Sequence, residues 1–265
     1  MKKKFLIKLC IVAVIIALGA YVAYNFLLPK PTIVDEIKKR GYLIVGTSAD
    51  FPPFEFVDEK GNIVGLDIDI ARKIAEALGV KLVIKDMDFD ALIPALLSKD
   101  VDIVIAGVTI TEERKKVVAF SIPYFEADQA VLVLKENTEI KSVDDLVGKK
   151  IGVQQGTTGD LWVTENLVKK GLIKEEDVKR YGRITIALLE LKKGTVDAVI
   201  IDKPVAQMYA KLDPSLKVAF VIKTGEKYGI VVRKEDKALL EIINKVLEEL
   251  IKSGEMEKLI KKWFG

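Results

Sequence analysis

Short apolar strands alternate with amphipathic helices along most of this chain, and the alternation comes in two blocks. In the first, residues 43–45, 81–84 and 101–106 read as strands, and residues 67–78 and 91–97 as helices. Ile70, Ala71, Ile74, Ala77 and Leu78 recur at helical spacing, and Gly79 is placed to close that helix. In the second block, residues 151–153 and 198–201 read as strands, and residues 161–169 and 185–192 as helices. The stretches "SKDVDIVIAG" and "KKGTVDAVIID" punctuate the two blocks alike. Alternating strands and helices bury their apolar faces by packing helices onto a parallel sheet, so two such blocks predict two parallel-sheet lobes, not one barrel. "DFPPFEF" reads as an extended loop, because a residue before proline is pushed out of the helical region. "VDEKGNIVG" reads as a hairpin around Gly61-Asn62. Residues 239–250 have the spacing of an amphipathic helix, and a short helix after Gly254 runs to Trp263-Phe264.

The chain has 265 residues, half of them hydrophobic, enough for one large core or two modest ones. The formal charge of +3 misleads. Lys2, Lys3, Lys4, Lys8 and Lys30 stand in a first stretch without acids, which leaves 37 bases against 39 acids in residues 31–265 and no basic footprint for nucleic acid. Histidine is absent, which excludes histidine-dependent triads, the usual zinc sites and an imidazole base. The one cysteine, Cys10, lies in the N-terminal apolar run, so residues 31–265 have neither a disulfide nor a thiol nucleophile. No metal and no cofactor is expected. Abundant Lys and Glu with few Asn and Gln is a thermophile-like composition.

"MKKK" precedes an apolar run, and residues 9–28 are long enough to cross a hydrocarbon core of about 30 Å. Lys8 can snorkel to the cytoplasmic face, and the positive-inside rule places everything after Pro29 outside. Length favours an uncleaved anchor. A cleaved signal peptide is the competing reading, with Ala17-Leu18-Gly19 as its small-x-small site. "LPKPT" follows as a short linker.

Arg114 is out of place by local rules. Thr111 suits a helix N-cap and Glu112 and Glu113 suit the first turn, but a cation there faces the positive end of the macrodipole. Either it is a surface arginine paired to a neighbouring glutamate, or an anion comes to it.

"LIVGTSADFPPFEF", "GNIVGLDIDIARKIAEALG", "DFDALIPALLSKDVDIVIAGVTITEERKKVVAFSIPYF", "GKKIGVQQGTTGD", "GTVDAVIID" and "LIKSGEMEKLIKKWFG" occur in that order. Together, over about residues 33–265, they resemble the polar amino-acid-binding family of extracytoplasmic solute-binding proteins that serve ABC importers. The resemblance implies a two-lobed α/β fold of the type II periplasmic-binding-protein kind, with a ligand cleft between the lobes. The expected division is an anchor or signal segment with linker at 1–30, lobe 1 at 31–125, lobe 2 at 126–226, and a return to lobe 1 at 227–265. Two crossover strands near residues 124–130 and 224–228 would act as the hinge. The cleft would lie at the carboxyl ends of the strands, where open α/β sheets place ligands.

The resemblance also implies roles. Arg114 would grip a ligand α-carboxylate with its guanidinium fork, helped by the Thr109 hydroxyl and by backbone N–H groups near Gly107. Thr158, and less directly Thr157, would form a second carboxylate clamp from the other lobe. Asp202 would accept the ligand's α-ammonium. Phe51 and Phe89 match the aromatic positions that sandwich the ligand side chain. Ser48 stands where several relatives carry an acid that reads a basic side chain, and this departure weakens an assignment to lysine or arginine. Asp50, Asp86, Asp88 and Asp90 are the nearby acids that could compensate in its place. Gln154 faces the distal end of the ligand, with Gln129 a lesser candidate.

The implied function is extracytoplasmic capture of a polar L-amino acid, arginine or another basic one or glutamine, for uptake by ABC permease subunits. The working unit would be a monomer tethered to the membrane by its N-terminal segment. Two alternatives stand beside it: a dehydratase acting on arogenate-like substrates, and a membrane-tethered amino-acid sensor. The dehydratase needs a general acid, and the sequence offers no cleft carboxylate besides Asp202.

Overall fold

The computed structural model describes residues 31–265, so the anchor or signal segment lies outside the described residues. Thr32 caps the first helix, α1 (Ile33–Arg40), by a reciprocal capping box with Asp35, and Gly41 closes it. The chain continues through β1 (Tyr42–Thr47), β2 (Asp50–Phe51), β3 (Glu55–Val57), β4 (Ile63–Val64), α2 (Leu66–Leu78) and β5 (Lys81–Asp86). A 3-10 turn at Phe89–Ala91 leads into α3 (Leu92–Leu97), followed by β6 (Ile103–Val104), α4 (Glu112–Lys115) and β7 (Ala119–Phe120). The second lobe holds β8 (Phe125–Leu134), β9 (Ile151–Gln154), α5 (Thr158–Val163), β10 (Val178–Tyr181), α6 (Ile184–Lys192), β11 (Ala198–Asp202), α7 (Lys203–Leu212) and β12 (Leu216–Tyr228). The chain then returns through β13 (Val231–Val232), α8 (Lys237–Lys252) and α9 (Glu255–Phe264).

Each lobe has a five-stranded sheet, in the order β5-β1-β6-β13-β7 in the first and β10-β9-β11-β8-β12 in the second. A three-stranded sheet of β2, β3 and β4 carries the expected hairpin at 57–63. The sheets are mixed, which corrects the expectation of parallel ones. β1 pairs with β5 and β6 in parallel, and β9 with β10 and β11, but β8 and β12 run antiparallel, as do β13 and β7. The antiparallel strands are those that leave or re-enter a lobe, and these need no helical crossover.

Other differences have local causes. The helix expected at 161–169 starts at Thr158, because the Thr157 hydroxyl accepts from the Asp160 N–H and caps it, and it passes into a π-helical stretch at Thr164–Val168. Strand β10, "VKRY", has no apolar run because it sits half-exposed at a sheet edge. Only Ile103–Val104 of the expected 101–106 strand pairs as a ladder, although the Asp102 and Ile105 N–H groups still donate to Ile44 O and Gly46 O.

β8 and β12 tie the lobes together. Their ladder runs from Leu134 and Leu216 deep in the second lobe to Phe125 and Tyr228 at its edge, and the Tyr124 N–H then donates to Tyr228 O at 3.0 Å. Around this crossing the rings of Phe54, Phe125, Tyr228 and Phe264 pack with centroids 4.9–5.8 Å apart, in edge-on and stacked pairs. One apolar cluster is therefore continuous from the helices of lobe 1 into the α6 and α7 side of lobe 2. Two further clusters fill the opposite faces of the sheets.

The C-terminal helices pack on the helices of residues 31–78. α8 buries Leu239, Ile243 and Leu247 completely, and α9 is pinned where Trp263 Nε1 and Lys262 Nζ donate to Asp69 at 2.8 and 2.7 Å. Among the described residues no helix is long and apolar enough to cross a membrane. Leu247 is fully buried in α8, so Leu247→Ala should cost about 2–5 kcal/mol in urea unfolding through the cavity it leaves. The same variant should keep its ligand affinity within twofold of wild type.

Candidate functional site

The residues singled out in the sequence converge on the cleft from both lobes. Thr111 Oγ1 accepts from the Arg114 N–H at 3.2 Å, so the cap forms as expected. Glu112 and Glu113 do not pair with Arg114: they bind Lys115 and Lys116. The half-buried Arg114 guanidinium instead reaches inward. Nη1 donates to Thr109 O at 2.8 Å, Nη2 donates across the cleft to Gly156 O at 3.0 Å, and the group lies 5.4 Å from the centre of the Phe89 ring. Burial draws its pKa down, and the charges of Glu226 and Asp202 oppose that shift. A pocket of about 360 Å3 beside it is lined from both lobes, by Thr111 and Arg114 on one side and Gly156, Thr157 and Thr158 on the other.

Glu226 lies at the centre of this arrangement, and the sequence reading overlooked it. Its Oε2 accepts from Thr109 Oγ1 and from Thr158 Oγ1, each at 2.6 Å, and its Oε1 accepts from Gln129 Nε2 at 3.0 Å. A carboxylate from the crossing strand thus joins a hydroxyl of lobe 1 to a hydroxyl of lobe 2. The backbone explains how it gets there. The β8–β12 register shifts between Ile222 and Glu226, where Asp128 Oδ1 accepts from the Thr224 and Gly225 N–H groups, both at 3.1 Å. This irregularity turns the next side chain toward the cleft. Asp202 is therefore not the one carboxylate of the cleft: Glu226 stands beside it.

Asp202 ends β11 and is buried, its Oδ1 accepting from Tyr228 Oη at 2.6 Å. Burial, followed by the Glu226 charge, pushes its pKa up to about 7, against the pull of hydrogen bonds from Tyr228 and Gln129. Thr157 is spent on local structure: its hydroxyl donates to Gln154 O and caps α5. Ser48 and Gln154 meet from opposite lobes, with Gln154 Nε2 3.5 Å from Ser48 Oγ and 3.1 Å from Gly182 O. Phe51 is buried, whereas Phe89 is half-buried with Arg114 on its face.

Gly107 does not offer a free donor, contrary to expectation. Its N–H donates to Asp67 Oδ2 at 2.8 Å. Its place in the cleft has a steric cause instead: φ is +54°, and an added Cβ would lie 2.8 Å from Phe51 Cε1. Asp67 also accepts from Tyr124 Oη at 2.8 Å, and burial raises its pKa to about 6. Glu55, fully buried with no hydrogen-bond partner for either oxygen, is pushed well above the usual carboxylate range by burial and by the Asp67 charge.

None of the four nearby acids stands free to read a ligand side chain. Asp50 accepts from the N–H groups of Ile184 and Thr185, Asp86 and Asp88 bind Arg183, and Asp90 accepts from Gln155 Nε2.

The buried acids give a pH dependence. Asp202 titrates near 3.8 when unperturbed and near 7 in the folded cleft, so between these values the folded state holds more protons and stability falls as pH rises. Asp67 has the same sign and finishes nearer 6. Calorimetry of the ligand-free protein from pH 4 to 8 should show Asp202→Asn gaining melting temperature over wild type as pH rises, and most near pH 7. A wild-type-minus-variant difference independent of pH would contradict the assignment.

Residues 43–265 match the bacterial extracellular solute-binding proteins, family 3. The arginine-binding extracellular protein ArtP of Bacillus subtilis is 42% identical over 225 residues, covering 84% of this chain and 86% of ArtP. A probable histidine-binding protein of Neisseria gonorrhoeae is 40% identical over 225 residues, covering 83% of this chain and 82% of that protein. Among solved structures, holo ArgBP from T. maritima superposes with a TM-score of 0.78 at 55% identity, covering 87% of this chain and 99% of that one. This chain belongs to the bacterial extracellular solute-binding proteins, family 3.

Proposed function

We propose that the protein captures a polar L-amino acid outside the cytoplasmic membrane and presents it to the permease of an ABC importer. The observation that carries this reading is the Glu226 carboxylate held between Thr109 and Thr158. Hydroxyls from two lobes aimed at one carboxylate form a cradle, and Glu226 stands in it where the α-carboxylate of a ligand would lie. Arg114 borders the same cradle with a fork suited to a bidentate anion. Asp202, one strand away, supplies the partner for the α-ammonium. A ligand carboxylate arriving in the cradle displaces Glu226, and the ammonium lowers the cost of charging Asp202.

The side chain would lie toward Phe51, Phe89, Ser48 and Gln154. Arginine is the ligand we assign first, on the 55% identity to holo ArgBP and the 42% identity to ArtP. Glutamine is the alternative, because Ser48 and Gln154 are neutral and the acids nearby are engaged. The chain acts as a monomer, with residues 31–125 and 227–265 closing against residues 126–226 about the β8–β12 crossing. The N-terminal segment tethers it to the membrane. Catalysis is not part of this reading: both Glu226 oxygens accept hydrogen bonds, which suits an ionised acceptor and not a proton donor.

Titration calorimetry with arginine and glutamine tests the assignment. Arg114→Ala should weaken binding at least about thirtyfold, since truncating one side of a desolvated pair costs about 2–5 kcal/mol. Agmatine, which lacks the carboxylate, should not bind comparably to arginine. A loss below threefold in the variant, or equal affinity for agmatine, would remove the carboxylate role from Arg114.

Glu226→Gln should tighten binding by about three- to tenfold, because displacing the native carboxylate from its hydroxyls costs on the order of 1 kcal/mol. Weaker binding by this variant would make Glu226 a partner of the ligand's ammonium and end its reading as a stand-in.

A further inference from the structure

Helix α6 begins without a cap of its own. Arg183 occupies its N-cap position, no side chain of the helix start accepts from the first amides, and no acid lies in its first turn. Four N–H groups at a helix start have no partner within the helix, and a positive dipole end adds to their demand for an acceptor. Here the acceptor comes from the other lobe. Asp50 Oδ2 accepts from the Ile184 N–H at 2.7 Å and from the Thr185 N–H at 3.4 Å.

Four more contacts surround this junction. Arg183 Nε and Nη1 donate to Asp88 Oδ1 at 2.8 Å and to Asp86 Oδ1 at 2.7 Å. Tyr209 Oη, from α7, donates to Asp50 O at 2.7 Å, and Gln155 Nε2 donates to Asp90 Oδ2 at 2.8 Å. Gly182 permits the approach, since an added Cβ there would lie 2.6 Å from Asp88 Oδ2. All of these pairs join lobe 1 to lobe 2, and none uses a residue of the proposed amino-acid cradle.

The geometry points to a closure latch: Asp50 of the first lobe caps helix α6 of the second only when the cleft is shut, and Arg183 clasps Asp86 and Asp88 beside it. Opening leaves the amides of Ile184 and Thr185 and the carboxylate of Asp50 to find water. The cap is thus a stabilising term of the closed state alone. Apparent affinity scales with the fraction of protein in the binding-competent state, so Asp50 and Arg183 set affinity as positioning residues without touching the ligand. In respect of affinity the inference rests on the amino-acid-binding reading. In respect of the cap it stands alone.

Hydrogen exchange followed by mass spectrometry on the ligand-free full-length protein tests the latch directly. Arg183→Ala removes no acceptor from Ile184 or Thr185, yet it should speed exchange at those amides and at residues 154–158, because it shifts the protein toward the open state. Asp50→Ala, which removes the acceptor itself, should do so more strongly. Protection across α2 and β11 at wild-type levels shows that each variant folds. With arginine, or glutamine if that is the ligand, Asp50→Ala should weaken binding about fivefold, the usual scale for a helix cap, and Arg183→Ala about two- to threefold, as for a part-exposed ion pair. In both, the dissociation rate should carry the change. Unchanged exchange in both variants overturns the latch. Faster exchange in a protein that binds no amino acid leaves the latch standing and removes the proposed function instead.

Discussion

Everything in the cleft hangs from one ladder, the antiparallel pairing of Phe125–Leu134 with Leu216–Tyr228. The two lobes share no other β pairing apart from the bridge of Thr109 to Tyr228 at its edge. The strands continue as part of the second lobe's sheet, so one end of the ladder is anchored in a packed layer while the other runs between the lobes. The crossing also contributes side chains of its own. Gln129, Glu226 and Tyr228 all project from it into the cleft, where they meet Thr158 and Asp202 of one lobe and Thr109 of the other. In the proposed function this crossing is the hinge, and a hinge that carries site residues couples its own conformation to what lies in the site, with no intermediate element to transmit the change.

Two buried acid–tyrosine pairs flank this crossing. Tyr124 donates to Asp67 behind the cleft floor, and Tyr228 donates to Asp202 at its edge. Neither pair includes a cation. Each carboxyl is therefore raised by desolvation, and the tyrosine hydroxyl offsets part of that cost. The first pair has a structural use, since Asp67 also fixes the Gly107 loop against Phe51 and lies beside the buried Glu55. The second leaves an acid short of a counter-charge at the site. An acid held in that state is a cost to the folded protein, which fits the ammonium-binding role proposed for Asp202.

The fold was legible where periodicity reports burial. The helix at Leu66–Leu78, the C-terminal helices and the central strands follow from apolar spacing and glycine stops, with bounds within a few residues. Strand direction was not, because nothing local in "FEADQAVLVL" says whether its neighbour runs with it or against it. At the site, Arg114 announced itself by offending the helix dipole, and Thr109, Thr158 and Asp202 came from motif position. Glu226 did not announce itself. An acid in "TGEKYG" looks solvated, and its turn into the cleft depends on a register shift that appears only when the two strands pair. The acids at 50, 86, 88 and 90 were noticed for the wrong reason: their partners lie on a lobe about a hundred residues away.

The rim of the cleft carries a part-exposed ionic cluster, and that has a thermal meaning. Drawing Arg183 against Asp86 and Asp88 strips water from charges. The hydration lost in doing so is worth less as temperature rises, because it carries an unfavourable entropy. Heat that loosens most contacts therefore lowers the cost of this one. The latch proposed above would therefore lose less of its strength on heating than an uncharged one.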